Sequence, residues 1–188
     1  MFLFQSKFRL AALLLATPLL FASCEKDTED PEPDEDNEQI TTVSYVLTPT
    51  TGSGAALTAT WRDTDGTGGN APTISALGLK PNTTYTGNII LLDETKNPVV
   101  VTSDEVAKEK DEHLFFYEPT PAGLLGNTRT DRDSKNMEVG LTTRLVTTAA
   151  GTGTLKITLR HQPGAGVKNG TFAPGDTDVE VTFPVTVQ

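Results

Sequence analysis

The chain predicts an all-β fold: a β-sandwich of about seven to nine strands with one short helix. Three observations predict it. Threonine and valine are abundant from residue 40 onward, with glycine and proline breaking the chain at intervals. Short β-favouring runs recur between those breaks. A single stretch, Ser103 to Glu112, has the composition of a helix. The last run is the clearest, because Val179, Val181, Phe183, Val185 and Val187 alternate with polar neighbours, the period of a strand with one wet face. The 149 residues of 40–188 are enough to enclose one hydrophobic core.

Before that domain the chain is organised around Cys24. Lys7 and Arg9 precede an apolar run, Leu10 to Phe21, which closes on Phe21-Ala22-Ser23-Cys24. A basic start, an apolar middle and small residues at the end make residues 1–23 a secretory signal. The run is about a dozen residues, short of the roughly 18 to 20 that a helix needs to cross a bilayer, so it targets the chain without anchoring it. Cys24 is the one cysteine in the sequence. No disulfide can form from it, and an exported chain with a leftover thiol risks pairing between molecules.

The segment Phe21-Ala22-Ser23-Cys24 resembles the cleavage box of bacterial lipoprotein precursors, with Phe21 where leucine is commonest. The resemblance implies that the signal is cut before Cys24 and that this cysteine is acylated. Acyl chains would then hold the protein at a lipid bilayer at about 0.8 kcal/mol per buried methylene.

Residues 24–39 read as a disordered acidic tether. Glu25 to Gln39 carries nine carboxylates, one lysine, two prolines and no apolar residue, so it has nothing to bury against the entropy of ordering. Its start, Glu25-Lys26-Asp27 with Glu29 and Asp30, resembles the surface-export signal of Bacteroidetes lipoproteins. The implied location is the outer membrane, on its periplasmic or surface-exposed side. The whole chain has a net charge of −10; without the two basic residues of the signal it is −12, and eight of those twelve charges lie in the tether. The domain is only mildly acidic and has no basic patch to displace counterions, which argues against nucleic acid as a partner.

Strands are expected over Thr42 to Thr48, Ala55 to Trp61 after the Gly52-Ser53-Gly54 turn, and Tyr85 to Leu92 after Pro81-Asn82. The helix follows, with Ser103 expected as its cap, and abuts a strand at His113 to Tyr117. Further strands are expected over Gly140 to Thr148, Thr154 to Arg160 and Asp178 to Val187, with Gly151-Thr152-Gly153 as a tight connection. Leu79 to Tyr85, reading LKPNTTY, resembles the tyrosine corner of fibronectin type III and immunoglobulin-like domains. That resemblance implies a fibronectin-like sandwich in which the Tyr85 hydroxyl bonds to the turn backbone. Asn82-Thr83-Thr84 and Asn169-Gly170-Thr171 match glycosylation acceptors, and are read as turn chemistry behind a bacterial signal.

Two aspartate clusters are the candidates for chemistry. Asp63 and Asp65, with Asn70, have the alternating oxygens that can wrap Ca²⁺, and Asp131 with Asp133 would complete the shell if both loops share one end of the sandwich. The DxDG start resembles a calcium loop, yet position twelve from Asp63 is Ile74, so no EF-hand is present. The alternative is a turn in which the aspartates cap their own amides, with Arg62, Arg132 and Lys135 supplying counter-charge.

His113 and His161 are the only histidines; the first is read as a strand residue and the second as exposed. No nucleophile elbow, zinc-protease motif or phosphate-cradling loop occurs, so no enzyme is expected. Adjacent Phe115 and Phe116 must face opposite ways on a strand, which makes Phe116, with Trp61, a candidate for ligand stacking.

Over nearly its whole length the chain resembles a group of small Bacteroidetes lipoproteins, through ITTVSYVLTPT, WRDTDGTGGNAPTI, PNTTYTGNIILLDE, KDEHLFFY and AAGTGTLKITLRHQP. Members are sometimes labelled type 1 periplasmic binding fold proteins, an architecture of alternating strands and helices that this chain's pattern does not supply. The expected function is a non-enzymatic binding or structural module of the cell envelope. Its partners would be the bilayer and an envelope protein or glycan, and the sharper alternative is a Ca²⁺-stabilised glycan or cofactor capture module serving an outer-membrane transporter. Cys24→Ala is expected to abolish incorporation of labelled fatty acid and to leave the precursor uncleaved or soluble; undiminished labelling would sink the assignment.

Overall fold

The structure, a computed structural model, describes residues 38–51, 54–66 and 68–188. Cys24, the signal at 1–23 and nearly all of the tether lie outside the described residues. Strands dominate. They are β1 (Thr42–Pro49), β2 (Leu57–Arg62), β3 (Thr73–Ile74), β4 (Leu77–Leu79) and β5 (Thr84–Leu92), then α1 (Thr102–Lys108). After it come β6 (His113–Thr120), β7 (Leu125–Arg129), β8 (Thr142–Thr147), β9 (Gly151–His161) and β10 (Asp176–Val187).

Two sheets form a sandwich, in the orders β3-β2-β1-β5-β8-β7 and β4-β10-β9-β6. Pairing is antiparallel except between β4 and β10. The described strands number ten; those the sequence pattern passes over are β3 and β4, too short to show a period, and β7, whose Gly-Asn-Thr-Arg carries almost no apolar signal.

Alternation builds the core. Val43, Tyr45 and Leu47 of β1, Tyr85, Ile89 and Leu91 of β5, and Val181, Phe183, Val185 and Val187 of β10 are all buried in one cluster. Each strand contributes every second side chain, as a sheet with one buried face requires. Burial of this kind, at about 25 cal/mol per Å², is the main favourable term in holding the sheets together.

The tyrosine corner is present. Tyr85 is fully buried, and its hydroxyl accepts the Lys80 N–H at 2.9 Å, so the turn before β5 is tied to the core. Asn82 in that turn has φ +49°, which asparagine tolerates, and Thr171 donates its N–H to Asn169 Oδ1 at 3.0 Å; both sequons are turns.

Two local expectations change. The helix begins at Thr102 with Val101 as its cap residue and no side-chain cap bond, so Ser103 lies inside it. What holds α1 is burial of Thr102 and Val106, which face inward one turn apart. Gly151-Thr152-Gly153 is not a connection but the start of β9, paired with the end of β10. A side chain at Gly153 would collide with the Thr120 carbonyl oxygen, so glycine there lets the end of β6 approach.

Gly87 has a similar purpose. A Cβ on it would stand 2.6 Å from both Tyr45 Oη and the Tyr45 ring and would press on Thr143 Oγ1, whereas a Cβ on Gly78 of β4 would meet nothing within 4 Å. Gly87→Ala is therefore expected to destabilise the fold by about 1–3 kcal/mol, and Gly78→Ala to stay within about 0.5 kcal/mol of the parent. Urea unfolding of the two variants side by side measures the difference; equal losses would show that Tyr45 is not tightly packed.

Candidate functional site

The two sheets end side by side at β6 and β7, the last strands in their respective orders. An edge strand has unpaired backbone groups, and here they are taken up locally. The Phe115 N–H donates to the Val139 carbonyl at 2.7 Å, and Arg129 Nη1 donates to the Phe115 carbonyl at 2.9 Å. Arg129 also pairs with Glu138 at 2.7 Å and places its guanidinium 5.3 Å from the centre of the Phe116 ring.

Above this junction opens a cleft of about 240 Å³, lined by Phe116, Tyr117, Glu118, Asn127, Arg129 and Phe172. Phe115 is fully buried and Phe116 is half-buried at the cleft, as alternation along β6 demands. Phe172, 42% exposed, reaches over from the β9–β10 connection to meet Phe116 edge-on, with ring centres 5.1 Å apart. The guanidinium of Arg160 lies 4.8 Å from the Phe172 ring, and its N–H groups donate to Thr177 Oγ1, the Pro174 carbonyl and the Gly175 carbonyl. The aromatic pair is thus backed by two cations.

The polar floor is equally fixed. Asn127 Nδ2 donates to Tyr45 Oη at 2.9 Å, and Tyr45 Oη shares a second bond with Thr143 Oγ1 at 2.6 Å. Burial pushes the Tyr45 phenol up to about 12 in spite of those two bonds. Tyr117 donates its hydroxyl to the Gly140 carbonyl at 2.5 Å, and burial holds it well above the ordinary tyrosine value. Glu118 is ion-paired with Lys156 at 2.9 Å.

Trp61 is not at this site. It faces the same way as Leu57 and Ala59 in β2 and packs on the core, far along the other sheet. The same alternation that turns Phe116 outward turns Trp61 inward.

The aspartate clusters do not join. Asp63 follows β2 and Asp131 follows β7; both loops lie at the same end of one sheet, but β1, β5 and β8 run between them. Four strand spacings are about 19 Å, far beyond the 2.3–2.6 Å reach of a shared Ca²⁺. Each cluster instead satisfies itself. The Gly66 N–H donates to Asp63 Oδ1 at 2.9 Å, and Asp65 Oδ2 accepts from the Asn70 N–H at 2.9 Å and from Asn70 Nδ2 at 2.6 Å. Asp131 accepts the Gly140 and Leu141 N–H groups.

Asp133 is buried, accepting the N–H groups of Lys135 at 2.9 Å and Met137 at 2.8 Å, with Lys168 Nζ 2.9 Å from its other oxygen. Neither Arg62 nor Lys135 supplies the counter-charge. Arg62 pairs with Glu94, whose carboxyl that pairing holds at about 2, while Arg132 reaches Glu138. Lys168 had no sequence signal, because it comes from a loop 35 residues further on.

The histidines also differ from expectation. His161 is buried rather than exposed, and its ring stacks on His113 at 4.7 Å and 9°. Around them burial, with Asp178 nearby, pushes Glu38 up to about 8, burial pushes Asp178 up to about 6, and burial pulls His113 down to about 4. Among the described residues Glu38, Glu109 and His113 form the group whose donor atoms come within 4.8 Å of one another. Also among them, no helix is long and apolar enough to cross a membrane.

No family model, curated protein or solved structure matches this chain. The site therefore rests on its own geometry.

Asp133 carries a prediction with a definite pH direction. Burial disfavours its charge, but the Lys168 ammonium and two backbone N–H groups more than offset that and hold its carboxyl below the usual range. A carboxyl depressed on folding stabilises the protein fully above its unfolded value near 4 and loses that contribution as the pH falls through the folded value. Asp133→Asn, which strands Lys168, is expected to cost about 3–5 kcal/mol at pH 7 and to flatten the acid limb of the stability profile. Urea unfolding from pH 7 down to pH 2 measures both; an unchanged acid limb would place the pair outside the stability-determining set.

Proposed function

We propose that this protein is a non-enzymatic module of the bacterial cell envelope, acylated at Cys24 and held at the outer membrane, whose β-sandwich captures a glycan in the β6/β7 cleft. The observation that carries the reading is the cleft itself. Phe116 and Phe172 present ring surface on rigid supports, while Glu118, Asn127 and Arg129 place polar atoms beside them. A sugar ring has the matching character, an apolar face of C–H groups and a rim of hydroxyls. The volume of about 240 Å³ falls under the roughly 300–1,000 Å³ typical of drug-sized ligands and suits one such ring, with the rest of a chain running out of the open side.

Binding is favoured over catalysis by how the polar groups are committed. Hydrolysis of a glycoside needs two carboxylates across the bond, and Glu118 is the one carboxylate lining the cleft, already paired with Lys156. The anchor supports the same reading, since two or more acyl chains at Cys24 would hold the module at the membrane surface, where an outer-membrane transporter is the natural recipient of a captured ligand.

The experiment is saccharide binding by the purified protein, screened on an oligosaccharide array and quantified by calorimetry. Phe172→Ala, at a position 42% exposed, is expected to leave the protein folded with a midpoint lowered by about 5 °C at most and to weaken the best ligand about tenfold or more, a loss of ~1.4 kcal/mol. Phe116→Ala is expected to weaken it at least as much. Binding that both variants retain in full would remove the cleft from the reading.

A further inference from the structure

Away from the cleft, one end of the domain gathers side chains that lie far apart in the chain. Glu38 precedes β1, Glu109 follows α1, His113 opens β6 and Asp178 stands in β10. His113 Nδ1 is 3.1 Å from the Glu109 carbonyl oxygen. A carbonyl only accepts, so Nδ1 carries the ring proton and Nε2 keeps its lone pair. That lone pair faces Asp178 Oδ2 at 3.7 Å and Glu38 Oε1 at 4.0 Å.

The side chains of His113 and Asp178 are fully buried. His113 Nε2, both carboxylate oxygens of Asp178 and Glu38 Oε2 have no hydrogen-bond partner. Acceptors turned toward each other in a buried space repel unless a carboxyl takes up a proton or a cation lies between them, and a cation that displaces such a proton is held by every acceptor at once.

The spacing decides what kind of charge. At 3.7 and 4.0 Å the atoms are too far apart for an N–H···O bond. Two ligands bonded at 2.0–2.2 Å to one ion, at angles of about 110–130°, stand about 3.3–4.0 Å apart. The terminal nitrogens of the fixed cations nearby are bonded elsewhere, although Arg160 Nε lacks a partner. Arg160 donates to Thr177, Pro174 and Gly175, and Lys168 to the Lys110 carbonyl and Asp133. A backbone carbonyl holding the far ring nitrogen is also the support that metal-ligating imidazoles ordinarily have.

We propose that His113, Glu38 and Glu109, whose donor atoms lie within 4.8 Å of one another, bind one divalent transition-metal ion of the zinc class, with Asp178, 3.7 Å from His113 Nε2, as the fourth ligand. One imidazole with carboxylates selects such an ion over Ca²⁺, which takes six to eight oxygens. Glu109 supplies its oxygen from the rim. The ion clasps the segment before β1 to β6 and β10, so it fixes the point at which the acidic segment joins the sandwich. This site is separate from the β6/β7 cleft and stands or falls independently of the glycan reading.

The test is titration of the full-length protein, first stripped with chelator, with Zn²⁺ alone. One equivalent is expected to bind and to raise the unfolding midpoint by roughly 5 °C or more, an increase that excess chelator reverses. His113→Gln and Asp178→Asn are each expected to weaken Zn²⁺ at least tenfold, while Asp65→Asn leaves it unchanged. Should the first two variants not fold, the parent decides by nuclear magnetic resonance: Zn²⁺ must shift the His113 Nε2 resonance, with that nitrogen as the donor. Absence of stoichiometric binding, full affinity in folded His113→Gln, or a Zn²⁺ complex that leaves His113 Nε2 unshifted would each overturn the site.

Discussion

Arg129 is the interaction on which the open side of this sandwich depends. Two sheets stacked face to face bury their inner surfaces readily, but their last strands leave backbone groups and core side chains exposed along one flank. Arg129 projects from β7 of one sheet and donates to the Phe115 carbonyl of the other, with Glu138 holding its far side. A lysine would offer a single nitrogen where this bridge uses three of one planar fork, Nε and Nη2 on Glu138 and Nη1 on the Phe115 carbonyl. The same guanidinium backs Phe116, so the closure of the fold and the floor of the cleft are one piece of chemistry.

Several polar groups inside the domain follow a related logic and are met by residues remote in the chain. Tyr45 of β1 is met by Asn127 of β7 and Thr143 of β8, and Gly87 is bare so that the tyrosine ring can lie against it. Asp133 is neutralised by Lys168 from the β9–β10 connection, which also lays Phe172 beside Phe116. That connection therefore has two attachments, one electrostatic and one aromatic, and together they hold one wall of the cleft. Several buried atoms lack a partner, and among them His113 Nε2 faces Asp178 at 3.7 Å and Glu38 at 4.0 Å.

Much of the fold was legible because period-two alternation is a local property. Val179 to Val187 shows which face of the last strand is wet, and Phe115 and Phe116 announce that one ring goes in and one goes out. The tyrosine corner was legible for the same reason, since Lys80 and Tyr85 are only five residues apart. Trp61 shares a strand face with Leu57 and Ala59, opposite Thr58, Thr60 and Arg62, so the same alternation lays it against the core. His161 was misread because the chain that covers it comes from elsewhere. The aspartates of 63–70 and 131–136 accept nearby backbone N–H groups, a role the sequence leaves open because such oxygens serve a backbone amide as well as they serve a cation.

The sequence by itself determined the all-β class, the strand runs that supply the core, the single short helix and the turns, because each depends on residues within about ten positions of one another. It also carries the whole case for Cys24, which lies outside the described residues. Only the tertiary structure decided that β6 and β7 end side by side, that Phe172 reaches Phe116 across 56 positions of chain, and that Glu38, His113 and Asp178 share one buried space. The physical reason is that strand order and loop placement are set by the joint burial of both sheet faces. That is a property of the packed whole, and no local period in the chain encodes it.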